Sequence, residues 1–425
     1  MSDKKPARVF HTDLWGARQA KYDWLDKHDR AHTDWKELNP KTPFHLFIPL
    51  DETLDVAYRR FASIPAIFPV NSVGIVTARD ALTIHWSREE TWKTVTVFSR
   101  MEPELAREGF KLGKDVQDWK VPLAQKDLLD SGPNKDMVVP VLYRPFDVRY
   151  TYYTGQSCGF ICRPRPEVMR HMLAGENVAL VTPKQHKDEF GALATESIGA
   201  HKAVAAYDIN YYFPLYLYPS ADKADLFARH DDAERVANLN AAVVSALARA
   251  HGRAPSPEEI FHYIYAVLYA PAYRAKYAEF LRIDFPRVPL TADAALFAKL
   301  ADLGGRLTEL HLLRSADLDP PACRFEGQGD GRVGRGRTEG VRYEPATQRV
   351  YVNAAQYFAP VAEDVWAYRV GGYQVCEKWL KDRTDRRLAL DDVRTYCRIV
   401  TALKRTIALQ EQIDALYPTA EADTV

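Results

Sequence analysis

Val141-Leu-Tyr-Arg-Pro-Phe-Asp-Val-Arg-Tyr-Thr-Tyr-Tyr153 is the stretch that decides the fold class. Val141, Tyr143, Val148, Tyr150 and Tyr152 suit a pleated surface, because β-branched and aromatic side chains pack well across a strand. Arg144-Pro145 marks a bend or an edge, since proline cannot donate to a ladder. Working outward, Asn177-Val-Ala-Leu-Val-Thr182 reads as a buried strand that carries Pro183-Lys-Gln-His-Lys187 to its carboxyl end. Tyr207-Asp-Ile-Asn-Tyr-Tyr-Phe-Pro-Leu-Tyr-Leu-Tyr218 reads as a further aromatic strand, so residues 139–219 form a β platform. Its rim turns basic at Arg163-Pro-Arg-Pro166. Arg, Lys, Gln and Asn among aromatics are the side chains that read base edges and phosphates.

Composition limits what such a rim can do. The chain has 425 residues, 47% hydrophobic and 27% charged, which suits two or three globular domains. Fifty-seven basic and fifty-seven acidic residues cancel, so any nucleic-acid affinity comes from local patches and not from a net field. Five cysteines, at 158, 162, 323, 376 and 397, are an odd number in a large chain and point to reduced thiols in a cytoplasm. The start, Met1-Ser-Asp-Lys-Lys-Pro, lacks the apolar core of a signal peptide, and no apolar run is long enough for a membrane span.

The first 130 residues read as a connecting region: a short strand over Val9 to Trp15, a helix over Gly16 to Asp29, a buried strand Pro43-Phe-His-Leu-Phe-Ile-Pro49, and a hairpin-like Leu82-Thr-Ile-His-Trp86. Helices rich in Lys and Glu follow to Leu129, and Ser131-Gly-Pro-Asn134 is the expected boundary before a second domain over 131–425. Beyond Pro219 the period changes to that of helices, giving a helical part over 221–314 whose alanine-rich opening, 221–250, is an exposed excursion. Pro255-Ser-Pro-Glu-Glu259 is a helix start, with Ser256 capping and Glu259 completing a capping box. Leu296, Leu300, Leu303, Leu307 and Leu310 line one helix face, and Gly304-Gly305 within it calls for a close helix crossing. Residues 327–342 hold six glycines with Arg332, Arg335, Arg337 and Arg342, a flexible cationic loop suited either to tracking phosphates or to a plain surface insertion. A strand, a Gly371-Gly372 turn and a basic helix start with Lys378 and Lys381 precede a long final helix over 392–416. The fold class is therefore α+β, a mixed β platform with helical bundle insertions and a long C-terminal helix.

Catalytic signals fail on context. Gly329-Asp-Gly-Arg-Val-Gly334 matches G-x-G-x-x-G without an apolar strand before it or a helix after it. Asp319-Pro-Pro-Ala322 comes close to the D-P-P-[YF] tetrapeptide that holds a flipped adenine, but alanine cannot stack on a base. Cys158 and Cys162 lack a second ligand pair, so a metal is not expected. Asp118-Trp-Lys120 has a nuclease-like spacing with no upstream acid, and His186 and His201, beside lysines, read as solvated polar side chains.

Val141-Leu-Tyr-Arg-Pro-Phe-Asp-Val-Arg, Ile209-Asn-Tyr-Tyr-Phe-Pro-Leu-Tyr-Leu-Tyr-Pro219, Tyr263-Ile-Tyr-Ala-Val-Leu-Tyr-Ala-Pro-Ala-Tyr-Arg274 and Gly371-Gly-Tyr-Gln-Val-Cys-Glu-Lys-Trp-Leu-Lys381, in this order, resemble the C-terminal specificity region of type ISP restriction-modification enzymes. The resemblance runs from about Val9 to Ile413 and covers only the last portion of such an enzyme. It implies sequence-specific recognition of double-stranded DNA for an adenine-N6 methylation system. The catalytic N-P-P-Y tetrapeptide, the S-adenosylmethionine loop and the helicase motifs are expected upstream or on a partner, a DNA methyltransferase or helicase-nuclease part, so no catalytic residue and no cofactor is expected in this chain. The expected DNA contacts are Arg144, Arg163, Arg165, Lys184, Gln185, Lys187, His201, Lys202, Arg332, Arg335, Arg337, Lys378 and Lys381. The alternative is a protein-interaction scaffold that docks a separate methyltransferase.

Overall fold

Alternating side chains and the Arg144-Pro145 break produce a β-hairpin. In the computed structural model, which describes residues 7–42, 45, 47–116, 118–219 and 235–425, Val138–Arg144 pairs antiparallel with Asp147–Tyr152, the turn closing through Phe146 at φ 59°. Ile198–Gly199 adds a parallel third strand beside Val138–Arg144. The run predicted to be buried is the strand Ala179–Pro183, buried at every position. It lies in a second, four-stranded antiparallel sheet ordered Ser72–Val73, Asn210–Pro214, Ala179–Pro183, Leu193–Thr195. The two sheets meet where Gly199 lies against the Tyr212 ring, whose hydroxyl donates to the Ala200 carbonyl at 2.8 Å. The platform is thus two small sheets joined edge to edge, and the aromatic run 207–218 enters strand only at Asn210.

The helical half follows the sequence closely. Pro257–Tyr269 opens with the expected capping box, Ser256 accepting from the Glu259 N–H and Glu259 accepting from the Ser256 N–H. It crosses Ala294–His311 so closely that a Cβ on Gly304 would sit 1.8 Å from the His262 carbonyl oxygen. Leu390–Ala422 packs on both, extending beyond the expected 392–416. His311 ties the three helices together from a fully buried position, its ring nitrogens meeting the hydroxyls of Tyr265 and Thr406. Residues 220–234 lie outside the described residues, and with them the opening part of the expected excursion. The rest of it is the strand Val236–Ala237 on Tyr216–Leu217 and the helix Ala241–His251. A small antiparallel sheet of Arg324–Glu326, Tyr357–Ala359, Arg349–Tyr351 and Arg342–Glu344 completes the C-terminal part.

Several expectations change. The chain divides into two compact units between Arg59 and Arg60, and Ser131-Gly-Pro-Asn134 is a turn inside the second. The helix Val121–Asp130 is welded to the platform, buried Asp127 accepting from the Phe160 N–H at 2.8 Å and the Thr154 hydroxyl at 3.0 Å, and to the end of the helix Arg88–Phe98, Gln125 donating to the carbonyls of Phe98 and Met101. Leu82 and Thr83 belong to the helical turn Asp80–Thr83, and only His85 pairs, with Tyr150. Of the expected strand 43–49, Pro43, Phe44 and Leu46 lie outside the described residues. The rest is in no strand and Phe47 is exposed, as prolines at both ends remove ladder donors. The first unit holds the strand pair Val9–His11 with Lys36–Leu38 and the helix Arg18–Leu25. No helix among the described residues is long and apolar enough to cross a membrane.

Candidate nucleic-acid interface

Three loops converge at one edge of the second unit, and backbone contacts lock them together. The loop at 183–191, after the strand Ala179–Pro183, is held by the Lys187 N–H, which donates to the Asp208 carboxylate at 2.9 Å. The loop at 200–209 is gathered by Asn210, fully buried, whose side-chain oxygen accepts from the N–H groups of Val204 at 2.6 Å and Ala205 at 3.2 Å. The Gly371-Gly372 turn wedges against both: Gly371 has φ 56°, and a Cβ on it would lie 2.0 Å from the Val204 carbonyl oxygen. Only glycine meets both demands, the left-handed backbone and the close approach. Tyr373 then donates to the Lys202 carbonyl at 2.9 Å.

Arg144 is part of this lock. Its guanidinium donates to the carbonyls of Tyr143 and Lys202, lies 4.0 Å over the Tyr143 ring and 5.5 Å from the Tyr373 ring, and buries its Nε without a partner. It positions the loop and has little left for a phosphate. His186 is buried and His201 half-buried, not solvated; burial pushes both pKa values down, keeping the rings neutral, and their Nδ1 atoms lie 2.8 and 3.1 Å from the Asp188 and Ile75 carbonyl oxygens. Lys184 approaches Asp284 at 3.9 Å. What this edge presents outward is Gln185 and Lys187, both exposed, with half-buried Lys202. Neither ammonium has an ion-pair partner among the described residues. Tyr207 and Ile209 stand beside them, 71% and 49% exposed.

The other expected cations are largely answered by carboxylates. Arg163 pairs with Asp118, raising the pKa of the guanidinium, while the next residue, Trp119, is buried and donates to the Phe160 carbonyl at 3.3 Å. The Asp118-Trp119 pair is therefore a staple, not a nuclease acid. Arg165 adopts φ 57° before the helix Pro166–Leu173 with its Nε buried and unpartnered. On the helix Val375–Lys381, Lys381 meets Glu377 at 2.8 Å and Lys378 meets Asp382. Asp319-Pro-Pro-Ala322 packs on the final helix, the Ala322 N–H donating to the Thr401 hydroxyl at 2.8 Å.

The glycine-rich stretch 327–342 is pinned rather than loose. The Gln356 side chain accepts from the Gly331 N–H, and 331–333 runs antiparallel to 385–388 through Val333 to Arg386, Asp385 to Val333 and Leu388 to Gly331 hydrogen bonds of 2.8–2.9 Å. The result is a ribbon carrying Arg332, Arg335, Arg337, Arg386 and Arg387. Arg335 donates from Nε and Nη2 to one Asp385 carboxylate oxygen and Arg387 meets Asp330 at 2.9 Å, whereas Arg337 is exposed without an ion pair among the described residues. Arg386 lies 4.4 Å over the half-buried Trp86 ring. Arg386 and Arg387 are absent from the sequence-derived set. Their signal, the run Arg383-Thr-Asp-Arg-Arg387, looks like an ordinary solvated helix end until pairing brings it to the glycine-rich segment.

Residues 66–412 match the family described as Type ISP C-terminal specificity domain. The fold is similar to that of the DrdV–DNA complex solved by cryoEM, with 20% identity, TM-score 0.69, and coverage of 93% of this chain and 42% of that one. It is equally similar to a nuclease-deletion mutant of the Type ISP restriction-modification enzyme LlaGI in complex with a DNA substrate mimic: 20% identity, TM-score 0.69, 97% of this chain and 39% of that one. The ATP-dependent Type ISP enzyme LlaBIII bound to DNA gives 16% identity, TM-score 0.66, 89% of this chain and 25% of that one. This chain thus spans less than half the length of each of these proteins. No curated protein matches the sequence.

Proposed function

The chain belongs to the Type ISP C-terminal specificity domain family, and from that premise we propose that it recognises a specific sequence of double-stranded DNA for a restriction-modification system. The observation that carries the reading is the convergence of the loops at 183–191, 200–209 and 371–373 into one braced edge, with Gln185, Lys187 and Lys202 facing outward. Amide and ammonium groups on a braced edge can reach base edges and phosphates without the backbone first being ordered. The arginine ribbon 332–337 with 386–387 adds a second surface suited to the phosphate backbone, weakened by its own carboxylates. Methyl transfer, S-adenosylmethionine and strand cleavage fall in this reading to a methyltransferase or helicase-nuclease part. A cytoplasmic location goes with it, where the DNA lies and five thiols stay reduced.

Binding to random-site DNA pools over a salt series tests the reading. Selection of one sequence by the unaltered chain supports it. Alanine at Gln185 should relax the selected sequence, and alanine at Arg337 should lower affinity on all sequences and flatten the salt slope. Equal losses on every sequence from both variants would discredit base reading at 183–191. A second reading, a scaffold that docks a separate methyltransferase, is favoured by the first unit, where Trp15 is 82%, Phe47 64% and Leu25 57% exposed. Co-purification with a methyltransferase, with no DNA binding at low salt, selects it.

A further inference from the structure

The geometry points to Tyr207 and Ile209 as the specificity-determining tip of a preformed reading finger, the loop at 200–209, which makes apolar contact with base edges in the DNA major groove. This inference rests on the DNA-recognition reading above and assigns within it the residues that choose the sequence. A single exposed apolar side chain is ordinary on a protein surface, but two on one braced loop, beside free cations, offer apolar area to a partner. The loop is tied at Val204 and Ala205 by Asn210, at Asp208 by the Lys187 N–H, at Lys202 by Arg144 and Tyr373, and at Val204 again by the Gly372 N–H at 3.1 Å. Between those ties Tyr207 is 71% exposed and Ile209 49%. Tyr211, two residues on and already in the strand Asn210–Pro214, is half-buried against the Phe285 ring at 4.8 Å, so the exposed side chains end where the strand begins.

Charge decides what the tip meets. Of the nearby carboxylates, Glu196 pairs with Arg314 and Glu189 with Arg369 at 3.5 Å, while Asp208, within the finger, accepts from the Lys187 N–H. Lys187 and Lys202 lack ion-pair partners among the described residues, and exposed Gln185 offers both a donor and an acceptor. Apolar tips flanked by free ammonium groups and an amide suit a groove walled by phosphates and floored by base edges. Thymine presents its methyl group there, and aromatic or aliphatic side chains read it. The ties spare the backbone ordering that a loose loop would need on binding, leaving only that of the side chains.

The full chain and its Tyr207→Ala, Ile209→Ala and Lys187→Ala variants are each taken through selection from a random duplex pool, and binding to the selected site is then measured with thymine replaced by deoxyuridine, which removes only the methyl group. The expected result for Tyr207→Ala and Ile209→Ala is loss of preference at one or two adjacent base pairs, about tenfold in affinity for the selected site. The salt slope stays the same, and the deoxyuridine penalty seen with the unaltered chain disappears. Lys187→Ala should weaken all sequences alike. Tyr207 and Ile209 are exposed, so these variants retain the fold, which a melting curve verifies. If the variants select the same sequence with unchanged affinity and deoxyuridine penalty, the tip does not read bases and the inference falls while DNA recognition stands. If the unaltered chain selects no sequence, the recognition reading falls too. Loss of methyltransferase co-purification by Tyr207→Ala, with DNA selection intact, would reassign the tip to a protein partner and overturn the inference.

Discussion

Arg144 shows how a residue type changes meaning once its neighbours are known. In the sequence it is a cation on a basic rim. In the fold it joins the hairpin to the loop at 200–209 through the Lys202 carbonyl and two aromatic rings. Arg144→Ala should therefore lower the free energy of unfolding by about 2 kcal/mol, the worth of a charge-assisted hydrogen bond with part of a cation–π contact. Lys187→Ala should change it by less than about 0.5 kcal/mol, as expected of an exposed side chain. Urea titration of both variants decides this; equal stability would show that Arg144 is free after all. Asp127 makes the same point from the acidic side. Its place beside Gln125 and Lys126 gives no hint of burial, yet it holds the Phe160 amide, and burial raises its pKa.

Among the elements, the helix pair was the most legible and the glycine-rich stretch the least. Gly304 is explained by a carbonyl of the opposing helix, and Gly304→Ala should cost about 1–3 kcal/mol because backbone, not a flexible side chain, must move. Thermal unfolding measures this, and an unchanged midpoint would mean that the helices can part without cost. The segment 331–333 pairs with 385–388, an association between segments about fifty residues apart that local composition cannot announce. The ribbon's arginines face Asp385 and Asp330, and the Arg335 hydrogen bond holds the Asp385 carboxyl below its ordinary range. Asp385→Asn should free Arg335 and raise affinity for random-sequence duplex about two- to fivefold at low salt, the worth of an exposed ion pair. Fluorescence anisotropy checks it, and a fall in affinity would place the ribbon away from DNA.

For the whole molecule, burial sets the response to acid. His85, His171, His186, His201, His262 and His311 all have pKa values lowered first by burial, to about 4 for His171 and about 3 for His311. A lowered folded value means that the unfolded chain takes up protons near pH 6.5 while the folded chain does not. Stability is thus complete above about pH 6.5 and declines as pH falls below it, by up to about 1.4 kcal/mol per pH unit for each such histidine. Urea midpoints between pH 7 and 5 should fall steeply, and His311→Gln, which can still meet the hydroxyls of Tyr265 and Thr406, should lessen the slope by about one proton's worth. A flat profile would contradict the burial of these rings. Read alone, the sequence determined the α+β class, the bend at Arg144-Pro145, the buried strand before Pro183, the capped helix at Pro257 and the close crossing at Gly304. Each of these rests on local periodicity or on the chemistry of proline, glycine and capping residues. Tertiary structure alone decided which cations are free and which are paired, that 60–130 packs with the platform, and that Tyr207 points outward. Those outcomes depend on contacts between residues distant in the chain, and no local pattern encodes which carboxylate, carbonyl or ring will arrive beside a given side chain.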